Sequence, residues 1–151
     1  MSGAPEKQRK GVIAIDHGTK RTGFAVADAL RITTQPLDVF HGAGDGDALF
    51  KHVAELVEER DIDTFLVGLP LNLDGSPSAR CDDVKRFTAE LARRFPRVRV
   101  VPYDERLTTK AADELLVESG HTGDARKSRR DSWSALVLLR DWIAAGEPAG
   151  A

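Results

Sequence analysis

The sequence predicts an α/β domain: a mixed five-stranded sheet flanked by helices on both faces. Three observations predict it. Short apolar runs rich in β-branched residues alternate, from about residue 48 onward, with longer segments of helical periodicity. Three strand-like runs come first and are joined by short turns, the pattern of an antiparallel meander. The later strands are separated by helices, the pattern of parallel additions to the same sheet.

The elements follow in order. GVIAID (residues 11–16) is a short apolar run and reads as a buried strand, and HGTK after it as a turn. RTGFAVAD (21–28) is a second strand, with Gly23 placed for a bulge or a close contact. RITTQPLDVF (31–40) reads as a third strand at an edge, because Pro36 cannot donate to a ladder. HGAGDGD is a Gly-rich loop. In residues 48–60, Leu49, Val53, Leu56 and Val57 recur at helical spacing. TFLVGLP (64–70) has the continuous apolar character of a strand buried on both faces. LNLDGSP is a turn centred on Asp74-Gly75. Ser76 then reads as a helix N-cap and Pro77 as the first helical residue, with the helix stopping near Phe95, before Pro96. VRVVPY (98–103) is the next strand. Thr108 or Thr109 caps a helix through TKAADELLVES that Gly120 closes. A basic polar loop follows, then a last helix from Asp131 to about Ala145, on which Trp133 and Trp142 read as core. No repeat or internal linker is present. Residues 1–10 read as a polar tail, 11–145 as one domain and 146–151 as a second tail.

Composition narrows the function classes. The chain has 151 residues, of which 41% are hydrophobic and 30% charged, which fits a soluble globular protein and not a disordered one. No apolar run approaches a membrane span, and the start MSGAPEKQRK lacks the apolar core of a signal peptide, so a cytoplasmic protein is expected. With Cys81 as the single cysteine, neither an intramolecular disulfide nor a Cys-based zinc site can form. Cys81 lies in a helical pattern and reads as a small packed residue. The formal net charge of −2 speaks against a nucleic-acid coat protein but leaves room for local basic patches. Arg93, Arg94, Arg97 and Arg99 read as a solvated face. Arg126, Lys127, Arg129 and Arg130 precede an acid and form the second patch.

Three acids stand at the ends of patterned elements. Asp16 ends the first apolar strand, at the carboxyl edge where α/β sheets place their ligands. Glu105 follows another apolar strand. Asp131 opens the last helix. Each has a plain structural alternative, as a turn former or as a partner of the helix dipole. Gathered at one sheet edge, they repel one another and call for cations. Mg²⁺ or Mn²⁺, hard ions that take oxygen ligands, suit such a cluster, and two of them can activate water and stabilise the leaving oxygen of a phosphodiester.

The segments DHGTKRTGFAVAD, VGLPLNLDG, DERLTT and RRDSWSALVLL, in this order and spacing, resemble the YqgF family, whose members go under the names of pre-16S rRNA nuclease and Holliday junction resolvase. The resemblance runs from about Gly11 to Ile143. It implies an RNase H-like fold and a metal-dependent endonuclease, with Asp16, Glu105 and Asp131 as catalytic and metal-binding acids. It carries basic and turn positions onto Lys20, Arg21, Gly23, Gly68, Pro70, Asn72, Gly75, Arg106 and Thr109. Lys20, Arg21 and Arg106, with Arg126, Lys127, Arg129 and Arg130 as a basic arm, are then expected on a nucleic-acid backbone. Structured RNA leads as the partner, in 5′-end maturation of 16S rRNA precursor or on a pre-ribosomal particle, with branched DNA second. The protein is expected off the membrane, as a monomer or a homodimer. There are departures. RuvC-type resolvases resemble this pattern but carry an acid at the end of the fourth strand, where Gly68-Leu69-Pro70 stands here, and two close acids on the last helix, where only Asp131 stands. His17 occupies a position that is variable in the family and reads as a solvent-side turn residue. Asp104 and Glu105 should face opposite ways, with Glu105 turned to the site.

Two readings of other classes compete. One is a non-catalytic nucleic-acid-binding factor in ribosome assembly or transcription, which would gain nothing from carboxylates facing phosphate. The other is a sugar-kinase or actin-like ATPase, suggested by DHGTKRTG, but such proteins need two domains around a nucleotide.

Overall fold

The computed structural model describes residues 9–149, except 73 and 106–122; of residues 123–131 it describes the helical backbone but not the side chains. The expected helix at 108–120, Arg106 and Thr109 lie outside the described residues.

Strands β1 (Gly11–Asp16), β2 (Arg21–Ala27), β3 (Thr34–Pro36), β4 (Phe40–His41), β5 (Ile62–Leu69) and β6 (Arg99–Asp104) form the sheet, with helices α1 (Asp47–Arg60), α2 (Cys81–Arg94) and α3 (Gly123–Ala144). The strand order is β3-β2-β1-β5-β6, and β4 also pairs with β2. β1, β5 and β6 are parallel, whereas β2 runs antiparallel to β1, β3 and β4. The sheet is therefore mixed, as the sequence predicts, but has six strands. The expected third strand starts late, because the chain turns at Arg31, which is left-handed (φ 58°), and it is interrupted between Pro36 and Phe40.

Alternation along the strands sorts the side chains onto two faces. Ile13, Ile15, Phe65 and Val67 pack under α1 and α2 with Leu49, Val53, Val84, Phe87 and Leu91. Val12, Ala14, Ala25, Leu66 and Val101 pack under α3 with Leu136, Leu139 and Trp142. The small Ala14, Ala25 and Ala27 let α3 lie close to the sheet, and the fully buried Trp142 fills the space beside them. Truncating such a buried Trp costs about 3–5 kcal/mol. Trp133, too, is buried in this layer.

Two boundaries differ from the expectation. α2 starts at Cys81, not near Pro77. The Ser76 hydroxyl is engaged inside the preceding turn, donating to Asp74 Oδ1 (2.6 Å) and accepting from Asn72 Nδ2 (3.0 Å), so it caps no helix. Leu71 and Pro77 close that turn as a β-bridge. The last helix begins at Gly123, so the basic segment 126–130 is helical and not a loop, and Asp131 stands inside the helix, not at its start. Arg and Lys are good helix formers, and their charge alone does not make a loop. Among the described residues, no helix is long and apolar enough to cross a membrane.

Candidate active site

β1 delivers Asp16 to the carboxyl edge of the sheet, where it pairs with Gly23 of β2. The same parity that sends Val12 and Ala14 toward α3 sends Asp16 to that face. On β6, Val101 and Tyr103 face α3, and Glu105 continues that row one residue past the strand end. The Glu105 N–H donates to the Leu69 carbonyl (3.3 Å), which extends the β5–β6 ladder and fixes where the side chain leaves the backbone.

The two carboxyl groups meet. Asp16 and Glu105 share a side-chain hydrogen bond. Burial is the largest influence on Glu105 and raises its carboxyl above the usual range; the Asp16 hydrogen bond and the Arg80 charge oppose this, and Asp104 adds to it. A half-buried carboxyl pair needs a proton or a cation between its oxygens. The two side chains offer only oxygen donors, which fits a hard divalent ion held by one or two protein carboxylates with solvent or substrate oxygens completing its shell. Among the described residues no group of three or more His, Cys, Asp or Glu gathers around one point. The Asp131 side chain is outside that description.

Gly68 makes room for this pair. It sits at the end of β5 opposite Tyr103, on the α3 face. A Cβ there would overlap Glu105 Oε2 and stand 3.0 Å from its Cδ. A side chain at position 68 would therefore have to displace the Glu105 carboxyl from this place.

One residue beyond Asp131, the last helix is tied to the segment that follows β3. The next residue, Ser132, is buried and donates its hydroxyl to the Leu37 carbonyl (2.6 Å). The Leu37 N–H in turn donates to the carbonyl of Phe24, which faces Ile15 across the ladder. Tyr103 ties β6 to the far half of α3 through Asp141 Oδ2 (3.2 Å).

His17 is not a solvent-side turn residue. It is buried and stacks on Phe87 at 4.3 Å between ring centroids. Its Nε2 lies 2.8 Å from the Gly44 carbonyl and its Nδ1 3.1 Å from Arg80 Nη2. A carbonyl only accepts and a guanidinium only donates, so the ring is neutral with its proton on Nε2. Burial, the largest influence, lowers its pKa, and Arg80 pushes the same way. Arg80 Nη1 also donates to the His17 carbonyl (2.9 Å), and its Nε is buried without a hydrogen bond among the described residues. Arg80 therefore braces the residue after Asp16 while its charge acts on Glu105. Sequence reasoning missed this brace, since nothing marks Arg80 as the partner of a residue 63 positions earlier.

Residues 10–145 match the family described as RuvX, Holliday junction resolvase. The chain belongs to the RuvX family. RuvX relatives named "Putative pre-16S rRNA nuclease" include one from Halalkalibacterium halodurans, 38% identical over 132 residues that cover 87% of this chain and 94% of the relative. Another, from Saccharophagus degradans, is 39% identical and covers 87% and 91%. This is a nuclease family by both descriptions. Similar folds occur in RuvC from T. thermophilus in complex with a Holliday junction (TM-score 0.57, 16% identity, 91% of this chain and 97% of that one). The Fowlpox virus resolvase bound to junction DNA is also similar (TM-score 0.58, 12% identity, 91% and 99%). At such identities the likeness is one of fold, and it agrees with the RNase H-like expectation.

The remaining predicted residues of this RuvX-family chain are placed as follows. Lys20 and Arg21 are exposed in the β1–β2 hairpin beside Asp16. Arg126, Lys127, Arg129 and Arg130 lie on the first turns of α3, where only the backbone is described. Asp104 is the last residue of β6, next to Glu105.

Proposed function

We propose that this chain is a divalent-metal-dependent endonuclease that cuts structured RNA at the 5′ end of 16S rRNA precursor. The observation that carries the reading is the hydrogen-bonded pair Asp16–Glu105 at the carboxyl edge of the sheet. In this reading Asp16 and Glu105 are catalytic acids that hold Mg²⁺ or Mn²⁺, with Asp131 completing the set from α3. The ion, when bound, supplies activation of a water and charge stabilisation on the phosphodiester. The chain's own residues do the rest. Arg80 fixes the backbone after Asp16, and Gly68 leaves Glu105 its position. Lys20, Arg21, Arg106 and the basic turns of α3 hold backbone phosphates by charge, without reading bases. The pre-16S rRNA substrate is supported by the names of relatives sharing more than a third of their residues with this chain, and a cytoplasmic pre-ribosomal particle is the setting that this reading proposes for it.

Cleavage of Holliday junctions is the second reading. It is favoured by the family description and by the junction-bound proteins of similar fold. One experiment separates the two: purified protein with labelled 16S precursor RNA and with a four-way DNA junction, each with Mg²⁺, Mn²⁺ or EDTA. The proposal expects metal-dependent cleavage of the RNA that Asp16→Asn and Glu105→Gln abolish. Cleavage of the junction alone would replace it with the second reading. Metal-independent activity, or none on either substrate, would refute both.

A further inference from the structure

A cavity of about 450 Å³ opens at the same sheet edge as Asp16 and Glu105, but on the opposite face, between α1, α2 and the loop before α1. Its size lies within the range of small-ligand pockets, about 300–1,000 Å³. Asp16 and His17 are consecutive and point to opposite faces, so the wall of the cavity begins one residue from the carboxyl pair. The floor is apolar and aromatic, formed by His17, Phe50 and Phe87. The rim carries the carboxylates of Asp45, Asp83 and Glu90. Its two arginines are already committed: Arg86 pairs with Asp83, and Arg94 with Glu90 and Asp47 while covering the Phe50 ring at 4.3 Å.

This lining selects a chemistry. The carboxylates are committed as well, Asp83 to Arg86 and Glu90 to Arg93 and Arg94, which leaves Asp45 without an ion pair among the described residues. The lining therefore gives a phosphate no unpaired cation, while Asp45 and the outer lone pairs of Asp83 accept hydrogen bonds from a neutral group that carries N–H donors. The floor rings are covered, His17 by Phe87 and Phe50 by Arg94, so the plane open to a flat ligand is the part-exposed Arg94 guanidinium, and guanidinium planes are established stacking partners of bases. An unstacked nucleobase meets all three demands. Adenine, cytosine and guanine each present an exocyclic amino group, whereas uracil offers carbonyl oxygens in its place. The site is also where such a base would arrive, since a strand whose phosphate lies at Asp16 and Glu105 crosses the sheet edge next to His17.

We infer that this cavity is a pocket for an unstacked, amino-bearing nucleobase of the strand flanking the cleaved phosphodiester. The inference rests on the nuclease reading for its position, but not for its test. Titrating the full chain with AMP, CMP, GMP and UMP, and with ribose 5-phosphate as a control, should shift the NMR signals of the His17 ring. The three amino-bearing nucleotides should saturate, with UMP at least about tenfold weaker, the value of one hydrogen bond to a charged acceptor. Asp45→Asn with Asp83→Asn should bring the other three down to the UMP level. If that pair melts early, Asp45→Asn alone should lower them part of the way. Ribose 5-phosphate acting like AMP, equal binding of UMP, or no saturable shift at His17 would overturn the inference. A protein that binds AMP at His17 yet cleaves no nucleic acid would keep the pocket and end the nuclease reading. One that cleaves RNA with Mg²⁺ but binds no mononucleotide there would do the reverse.

Discussion

Replacing Gly68 with Ala adds one methyl group at the place where the Glu105 carboxyl rests. The new Cβ would overlap Oε2 and lie 3.0 Å from Cδ, where ordinary contact begins at 3.4 Å. The carboxyl must retreat by something on the order of 1 Å, and a misplacement of that size in a reacting site costs about 10²-fold in rate. Stability should respond differently. Ala in a strand gains about 0.5–1 kcal/mol over Gly from the unfolded chain, and a displaced carboxyl regains solvent. The net change in stability should stay within about 1 kcal/mol. Urea unfolding and initial cleavage rates with Mg²⁺, measured on the same preparations, test the two halves. In a Glu105→Ala background the added Gly68→Ala should cost no further activity, because residues that share one contact are non-additive. Cleavage by Gly68→Ala within about threefold of wild type would refute the assignment of that space to Glu105. A stability loss above about 3 kcal/mol would make Gly68 a packing residue instead.

Other expectations concern the titrating groups and the basic helix. Because burial raises Glu105, its folded-state pKa exceeds the unfolded one, so its contribution to stability is full below about pH 4.5 and is lost as pH rises through the folded pKa. In EDTA, Glu105→Gln should therefore raise the urea midpoint at pH 8 and leave it unchanged near pH 4; an unchanged midpoint at both would show that Glu105 is not strained by burial. His17 has the opposite sign: its pKa is lowered, so the stability it contributes is present above pH 6.5 and disappears as pH falls through the folded value. His17→Ala leaves the Gly44 carbonyl and Arg80 without this partner and should cost about 1–3 kcal/mol at pH 7.5 by thermal or urea melts, with the difference shrinking toward pH 5. Replacing Arg126 and Lys127 by Ala should weaken RNA and DNA alike and reduce the log–log salt slope by at most about two units, which filter binding at several salt concentrations can read.

Much of this molecule could be read along the chain because the signals were local. An apolar run such as GVIAID has few alternatives to a buried strand, and Pro36 marks an edge wherever it sits in a sheet. The carboxyl edge followed from Asp16 and Glu105 each ending such a run. What escaped was decided by partners distant in sequence. Ser76 looks like a cap until Asp74 and Asn72 engage its hydroxyl. His17 looks like a turn residue until α2 supplies Arg80 and Phe87 around it. A run of like charges such as 126–130 suggests a solvated loop, although its residues favour a helix. The absent acid at the end of β5 was visible as Gly68, but what fills that space, the carboxyl folded over from the neighbouring strand, needed the β5–β6 register.

Because the basic segment and Asp131 share one uninterrupted helix, the distance between them cannot vary. A helix advances about 1.5 Å per residue, so Arg126 and Asp131 are separated by about 7.5 Å along the axis. Ser132 pins that rod to Leu37, just past the acid. On the proposed function, whichever phosphate the basic turns grip is measured off from the bond to be cut as if by a ruler. One inserted residue would rotate the grip by about 100° around the axis and lengthen the ruler by one step. On that function, a flexible arm would absorb such an insertion and keep its cleavage position, whereas a continuous helix would shift the cut or lose the grip.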